Sequence, residues 1–396
     1  MSDTDAPTRR GFLRTACSHC IGAGAVGTLL PSFAQGAADS TLVPARFSRP
    51  LIESDEGGLW ALMDREETKL RRGSFVIRDE ALNNWARDLV CKLGGDHCPD
   101  IRVHLVRTPH FNASMAPNGM MQVWSGLLLR AENEAQLAAV IGHELGHYLE
   151  RHTLQRMQDM KNKAALGTFL AVFGLAGAIA SIGVYATAFA FSREQEERAD
   201  RFGMHLMKRA GYDGAQAAQV WDNLLGEMKI RGGDDVGKRS VMFGTHPPVE
   251  NRRDELLKLA GNEGGNLGAD TYQKMIAPHR LDWLKDEVRR GQFEESLILF
   301  GRMLKARPDD AEVLYARGEA YRHRDGEGDL LLALDDLTRA TAFDAAPVDS
   351  YRALGYLHRK RSDAGAAHAA FERYLALAPE SPDAGIIKTY LTQAKP

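Results

Sequence analysis

The chain has 396 residues, with 50 lysines and arginines against 53 aspartates and glutamates, for a formal net charge of −3. That length holds two ordinary domains with real cores. The near balance of charge argues against a nucleic-acid partner and against a strongly basic membrane surface.

Residues 1–34 read as a targeting segment, removed on export. Thr8-Arg9-Arg10-Gly11-Phe12-Leu13-Arg14 is a twin-arginine motif, and an Ala/Gly-rich apolar run follows from Ala16 to Leu30. Ser32-Phe33-Ala34 places small residues where cleavage after Ala34 is expected. The alternative is an ordinary secretory signal with two arginines; the weak hydrophobicity of Ile21 to Ala25 favours the twin-arginine route and a periplasmic location. Cys17 and Cys20 fall in this signal, with no second pair at metal-site spacing. Cys91 and Cys98 remain for an oxidising compartment, where a local disulfide is the expectation and two free thiols the alternative.

Residues 35–260 are expected to form the first domain. A polar lead-in precedes an amphipathic helix over 55–72, with Leu59, Leu62, Met63, Glu66 and Leu70 at helical spacing. A second helix is predicted over 79–93, ended by Gly94-Gly95. Alternation predicts a strand over 101–107, then a strand pair at 112–116 and 120–124 about the turn Pro117-Asn118-Gly119.

The next helical run carries His143-Glu144-Leu145-Gly146-His147. Positions i and i+4 lie one turn apart on one helix face, so both imidazoles can reach a single metal ion. Glu144 is placed to take a proton from a metal-bound water, the chemistry of a zinc metalloprotease. His152, five residues past His147, is expected to point elsewhere and to be structural. Residues 164–191 carry no charge and are long enough to span a bilayer. A single span would carry any later metal ligand about 30 Å from the two histidines, across the membrane. Two shorter apolar helices are expected instead, over the active site or against a membrane surface. A charged helix from Arg193, a helix through Trp221 to Met228, a Gly/Asp-rich loop at 231–237, Thr245-His246-Pro247-Pro248 and a helix over 251–259 complete the domain.

The chain resembles the HtpX-like zinc endopeptidases, whose relatives include the CAAX prenyl protease. The residues that carry the likeness are the H-E-x-x-H of 143–147 and Glu196-Glu197-Arg198-Ala199-Asp200, matching E-x-x-A-D. Asn112-Ala113, Pro117, Gly119, Thr245-His246-Pro247-Pro248 and Arg252 extend it. The resemblance implies one zinc ion held by His143, His147 and Glu196, with Asp200 holding a ligand histidine. The residues alone do not separate Glu194, Glu196 and Glu197. The resemblance further implies that the region of Asn112-Ala113, Pro117 and Gly119 is an edge strand pairing with extended substrate. His246 would lie on a loop able to occupy the open zinc position, and Arg252 would stabilise the developing oxyanion. A turn histidine held by the two prolines remains the other reading of His246.

Residues 261–279 are expected as a linker, and 280–396 look like tetratricopeptide repeats of period 34. Pro308 and Pro379 stand 71 residues apart, two periods plus the three extra residues of the turn at 325–328. Such repeats form a concave surface for protein clients or an outer-membrane assembly machine. The predicted class is α+β: a mainly helical zincin-type domain with a small sheet, then an all-α repeat domain. The predicted activity is a zinc endopeptidase of the cell envelope acting on misfolded or stalled proteins. Its rival is a chaperone or adaptor scaffold with a largely plugged zinc site.

Overall fold

The computed structural model describes residues 43–159, 191–229, 241–246 and 251–393. The twin-arginine segment, nearly all of 164–191, the Gly/Asp-rich loop and Pro247-Pro248 lie outside the described residues. Helix α1, Asp55–Arg72, begins where the Ser54 side chain accepts from the Gly57 amide; it carries acids in its first turn and bases in its last. It buries Leu59, Trp60, Met63 and Leu70. Helix α2, Glu80–Gly94, is capped by Asp79 and stops at Gly95, whose φ of 56° suits glycine. The Cys91–Cys98 disulfide then closes the turn that follows.

Strands β1, Arg102–Val106, β2, Ala113–Met115, and β3, Met120–Trp124, form a sheet of order β1-β3-β2. The expected β2–β3 hairpin is present, antiparallel, and Gly119 turns it with φ 86°. β1 joins β3 in parallel, a long-range pairing that local alternation does not signal. β2 is left at one edge of the sheet.

After a short helix α3, Ser125–Arg130, comes α4, Glu134–Leu149, capped by Asn133 and buried from its second residue to its end. A helix buried all round sits at the centre of its domain, and α4 does. Along one side it meets α6, Arg193–Arg209, at backbone contact. A Cβ added at Gly146 would stand 2.8 Å from the Ala199 carbonyl oxygen, and one at Gly203 2.8 Å from the His143 amide nitrogen. Small residues four apart on both helices permit this approach. Helix α5, His152–Asp159, follows α4; α7, Ala215–Lys229, α8, Val241–Thr245, and α9, Arg252–Ala260, close the domain.

Beyond it, part of the expected linker is helix. Residues Ala269–Arg289 form one continuous α10 that runs through Pro278 and buries Tyr272, Ile276, Trp283 and Leu284. The Tyr272 hydroxyl donates to the Leu128 carbonyl at 2.5 Å. A dry ion cluster fastens the same helix to the first domain. Arg130 donates to Glu227 on α7 at 2.7 Å and to Glu287 on α10 at 2.8 Å, and all three side chains are at most 3% exposed. Helices α11, Phe293–Ala306, α12, Ala311–Arg324, α13, Asp329–Thr341, α14, Asp349–Lys360, α15, Ala364–Leu377, and α16, Ala384–Gln393, continue the chain. α12 packs on α13 and α14 on α15, with Gly318 against Leu337 and Gly355 against the Phe371 ring. Among the described residues, no helix is long and apolar enough to cross a membrane.

Candidate metal centre

The central helix sets the site. One turn apart on α4, His143 and His147 bring their Nε2 atoms to 3.1 Å. A capping box between Ser192 and Gln195 fixes the start of α6, and one residue later Glu196 turns inward. Its carboxylate lies 3.4 Å from His143 Nε2 and 3.5 Å from His147 Nε2. Glu194 is exposed and Glu197 pairs with Arg193, so neither alternative reaches the site. At the end of α8 the His246 amide donates to the Met242 carbonyl, and its Nδ1 stands 2.9 Å from Glu196 and 3.1 Å from His143 Nε2.

Three imidazole nitrogens and a carboxylate thus converge within 4.8 Å of one another, all buried. Donors set tetrahedrally around zinc at 2.0–2.1 Å would lie about 3.3–3.4 Å apart. The observed separations of 2.9 to 3.5 Å bracket that value. Among the described residues Glu196 Oε2 is buried without a hydrogen-bond partner and shares the Arg252 guanidinium, 3.3 Å away, with Asp200, an arrangement that a metal cation would complete. The donor set fits a divalent metal that accepts nitrogen and oxygen ligands.

Around the donors stands a second layer of charge. Asp200, one turn past Glu196, lies 2.8 Å from His143 Nδ1 and fixes that ring's orientation. Arg252 donates to Asp200 at 2.7 Å, comes within 3.3 Å of Glu196 Oε2, and rests its guanidinium 4.0 Å over the Trp221 ring. Glu144 Oε1 is 3.4 Å from His246 Nε2, and the Met115 backbone of the edge strand β2 hydrogen-bonds its carboxylate. Burial pushes the Glu144 carboxyl up to about 7. The structure therefore gathers all seven sequence-derived candidates, His143, Glu144, His147, Glu196, Asp200, His246 and Arg252, at one place.

His152 departs from its expected position. α4 ends at Leu149, and Arg151 takes a left-handed φ of 58°, which breaks the helix and turns His152 back toward the site. Its Nδ1 lies 3.0 Å from His147 Nδ1, and the side chain is fully buried. Phe191 stacks on His147 at 3.9 Å between ring centres. Neither Phe191 nor Trp221 belongs to a motif, so nothing local in the sequence marks them.

Residues 77–260 match peptidase family M48. The chain is 34% identical over 158 residues to the mitochondrial metalloendopeptidase OMA1 of Arabidopsis thaliana, covering 40% of this chain and 31% of that protein. It is 25% identical over 259 residues to the beta-barrel assembly-enhancing protease of Escherichia coli, covering 61% and 51%. To the protein of the same name from Yersinia pestis it is 23% identical over 290 residues, covering 65% and 57%. The chain spans less than two thirds of the length of each of these relatives.

Proposed function

We propose that this chain, whose residues 77–260 match peptidase family M48, is a zinc-dependent endopeptidase of the cell envelope. In this reading it degrades misfolded or stalled outer-membrane and other envelope proteins. The observation that carries the reading is the buried donor set of His143, His147 and Glu196 with Glu144 beside it. A bound zinc ion supplies a Lewis acid and a water ionising near neutral pH. The chain's own residues do the rest. His143, with Asp200 behind it, His147 and Glu196 would hold the ion. Glu144, anchored through Met115, receives the proton from the attacking water and delivers it to the leaving amine. The edge of β2, which pairs with no strand but β3 among the described residues, would offer backbone groups to an extended peptide, and Arg252 reaches the same cavity as a positive charge.

His246 supplies a fourth donor, the third nitrogen, where hydrolysis requires water, which supports a resting, self-inhibited state that a client must open. The same contact gives the scaffold reading its support, in which chaperone activity dominates and proteolysis is secondary. The helix pairs of 280–396, read as tetratricopeptide repeats, would recruit protein clients or an outer-membrane assembly machine. The printed names of the relatives from Escherichia coli and Yersinia pestis support that envelope setting. The twin-arginine segment supports periplasmic export, and the apolar run at 164–191 is our candidate for membrane-surface contact.

Metal analysis and a casein-degradation assay on the full chain and its Glu144→Gln variant test the proposal. We expect one zinc per chain in both, with degradation in the variant reduced by about 10²–10⁴-fold. Equal degradation by both proteins would refute the assignment of Glu144 as base.

A further inference from the structure

We propose that His152 is a positioning residue for the metal centre, accepting a hydrogen bond from His147 Nδ1 and so fixing which nitrogen of His147 faces the ion. The inference rests on the zinc-peptidase reading and extends it beyond the family motif.

The argument starts from what an imidazole can do. His147 directs Nε2 at His143 Nε2 and Glu196, so that nitrogen must be unprotonated to serve as a ligand. Its Nδ1 then carries the hydrogen and needs an acceptor. His143 meets the same requirement through the Asp200 carboxylate at 2.8 Å. Among the described residues, no carboxylate meets His147 Nδ1. The atom in place is His152 Nδ1 at 3.0 Å. It can accept only if His152 carries its own hydrogen on Nε2. His152 Nε2 is buried, has no hydrogen-bond partner, and lies 3.9 Å from the Glu150 carboxylate, which Arg198 of α6 in turn pairs. Glu150 therefore favours a proton at Nε2, the tautomer that leaves Nδ1 free to accept.

Placement of His152 is itself unusual. A straight continuation of α4 would carry residue 152 away from residue 147. The left-handed Arg151 returns it, a conformation that a non-glycine residue adopts only at a cost in strain. Phe191 then covers the pair, stacked on His147 and 6.4 Å from the His152 ring.

The test is metal affinity in the full-length protein, by competition of zinc, and of cobalt(II) as a spectroscopic probe, against a chelator. His152→Leu keeps apolar volume and removes the acceptor. His152→Asn places an amide oxygen near the position of Nδ1. The expected result is a loss of roughly 10–100-fold in affinity for the Leu variant, the scale seen for such outer partners, with recovery in the Asn variant. The cobalt(II) absorption band should change in Leu and return in Asn. Equal loss in both variants would make His152 a packing residue, and wild-type affinity in Leu would remove any role; either overturns the proposal. Should the Leu variant fail to fold, nitrogen NMR of the zinc-loaded wild type decides: a proton on His152 Nδ1 contradicts the proposal, and one on Nε2 supports it. A wild-type chain that binds no zinc would instead refute the underlying metallopeptidase reading.

Discussion

Replacing Arg130 with methionine should reveal how firmly the helical C-terminal part is fastened to the peptidase domain. Arg130 is buried between Glu227 on α7 and Glu287 on α10, and Arg302 and Arg290 extend the cluster at 2.9 and 2.7 Å. Burial works to raise the Glu287 carboxyl, but Arg130 and Arg290 outweigh it and hold the group down to about 2. Removing the central guanidinium leaves two dry carboxylates short of their shared partner, a change that costs about 3–5 kcal/mol. The pH dependence carries a second signature. In the wild type, Glu287 contributes stability that is complete above about 4.5 and is lost as pH falls toward about 2. In Arg130→Met the Glu287 carboxylate, still buried but short of its main partner, gains by protonation, so the variant becomes relatively more stable as pH falls. The deficit measured at pH 7 should therefore narrow by pH 5. Guanidinium unfolding followed by circular dichroism at both pH values measures it. A deficit below about 1 kcal/mol, or one that does not change with pH, would show that Arg130 does not hold the two parts together.

Gly146→Ala should destabilise the fold by roughly 1–3 kcal/mol and weaken zinc binding, because the new methyl meets the Ala199 backbone and pushes Glu196 outward. Unchanged melting and zinc affinity would refute that packing argument. Replacing Cys91 and Cys98 with serine should cost about 2.5 kcal/mol, the loop-closure value for a seven-residue separation, read by denaturant midpoint; no shift would contradict it. His246→Ala should raise basal peptidase activity with zinc retained, since three donors remain. Lower activity with normal zinc would make His246 a participant in catalysis.

What the sequence makes legible is local. The boundaries of α1 follow from Ser54 at one end and Gly73 at the other, and α4 from Asn133 and an uninterrupted helical run. His143, Glu144 and His147 announce themselves because helical geometry turns a spacing of four into a shared face. Glu196, Asp200, His246 and Arg252 were reached through family resemblance, since no periodicity links residues 50 to 109 positions apart. α10 was missed over its first half because Pro278 and the glycines before it look like a linker. Tertiary burial of Tyr272 and Ile276 overrides that signal. Arg130 gave no sign of its role: its partners lie 97 and 157 residues away. His152 is illegible for a related reason: helical periodicity runs on past Leu149 in the sequence, whereas Arg151 breaks the helix.

The charge inside the site argues for a dication independently of any motif. Glu144, Glu196 and Asp200 place three carboxylates in a buried cavity, and Arg252 is the one guanidinium among the described residues in contact with them. With the Glu144 carboxyl pushed up to about 7, the unpaired remainder is one full negative charge and part of a second. Dry protein does not tolerate that remainder without compensation. Two protonated imidazoles could supply it, but they would then point their hydrogens at one another across 3.1 Å. One divalent ion neutralises the same remainder and turns each of those nitrogens into a ligand instead of a clash. The carboxylates that unbalance the cavity are thus the same groups that favour a doubly charged metal there.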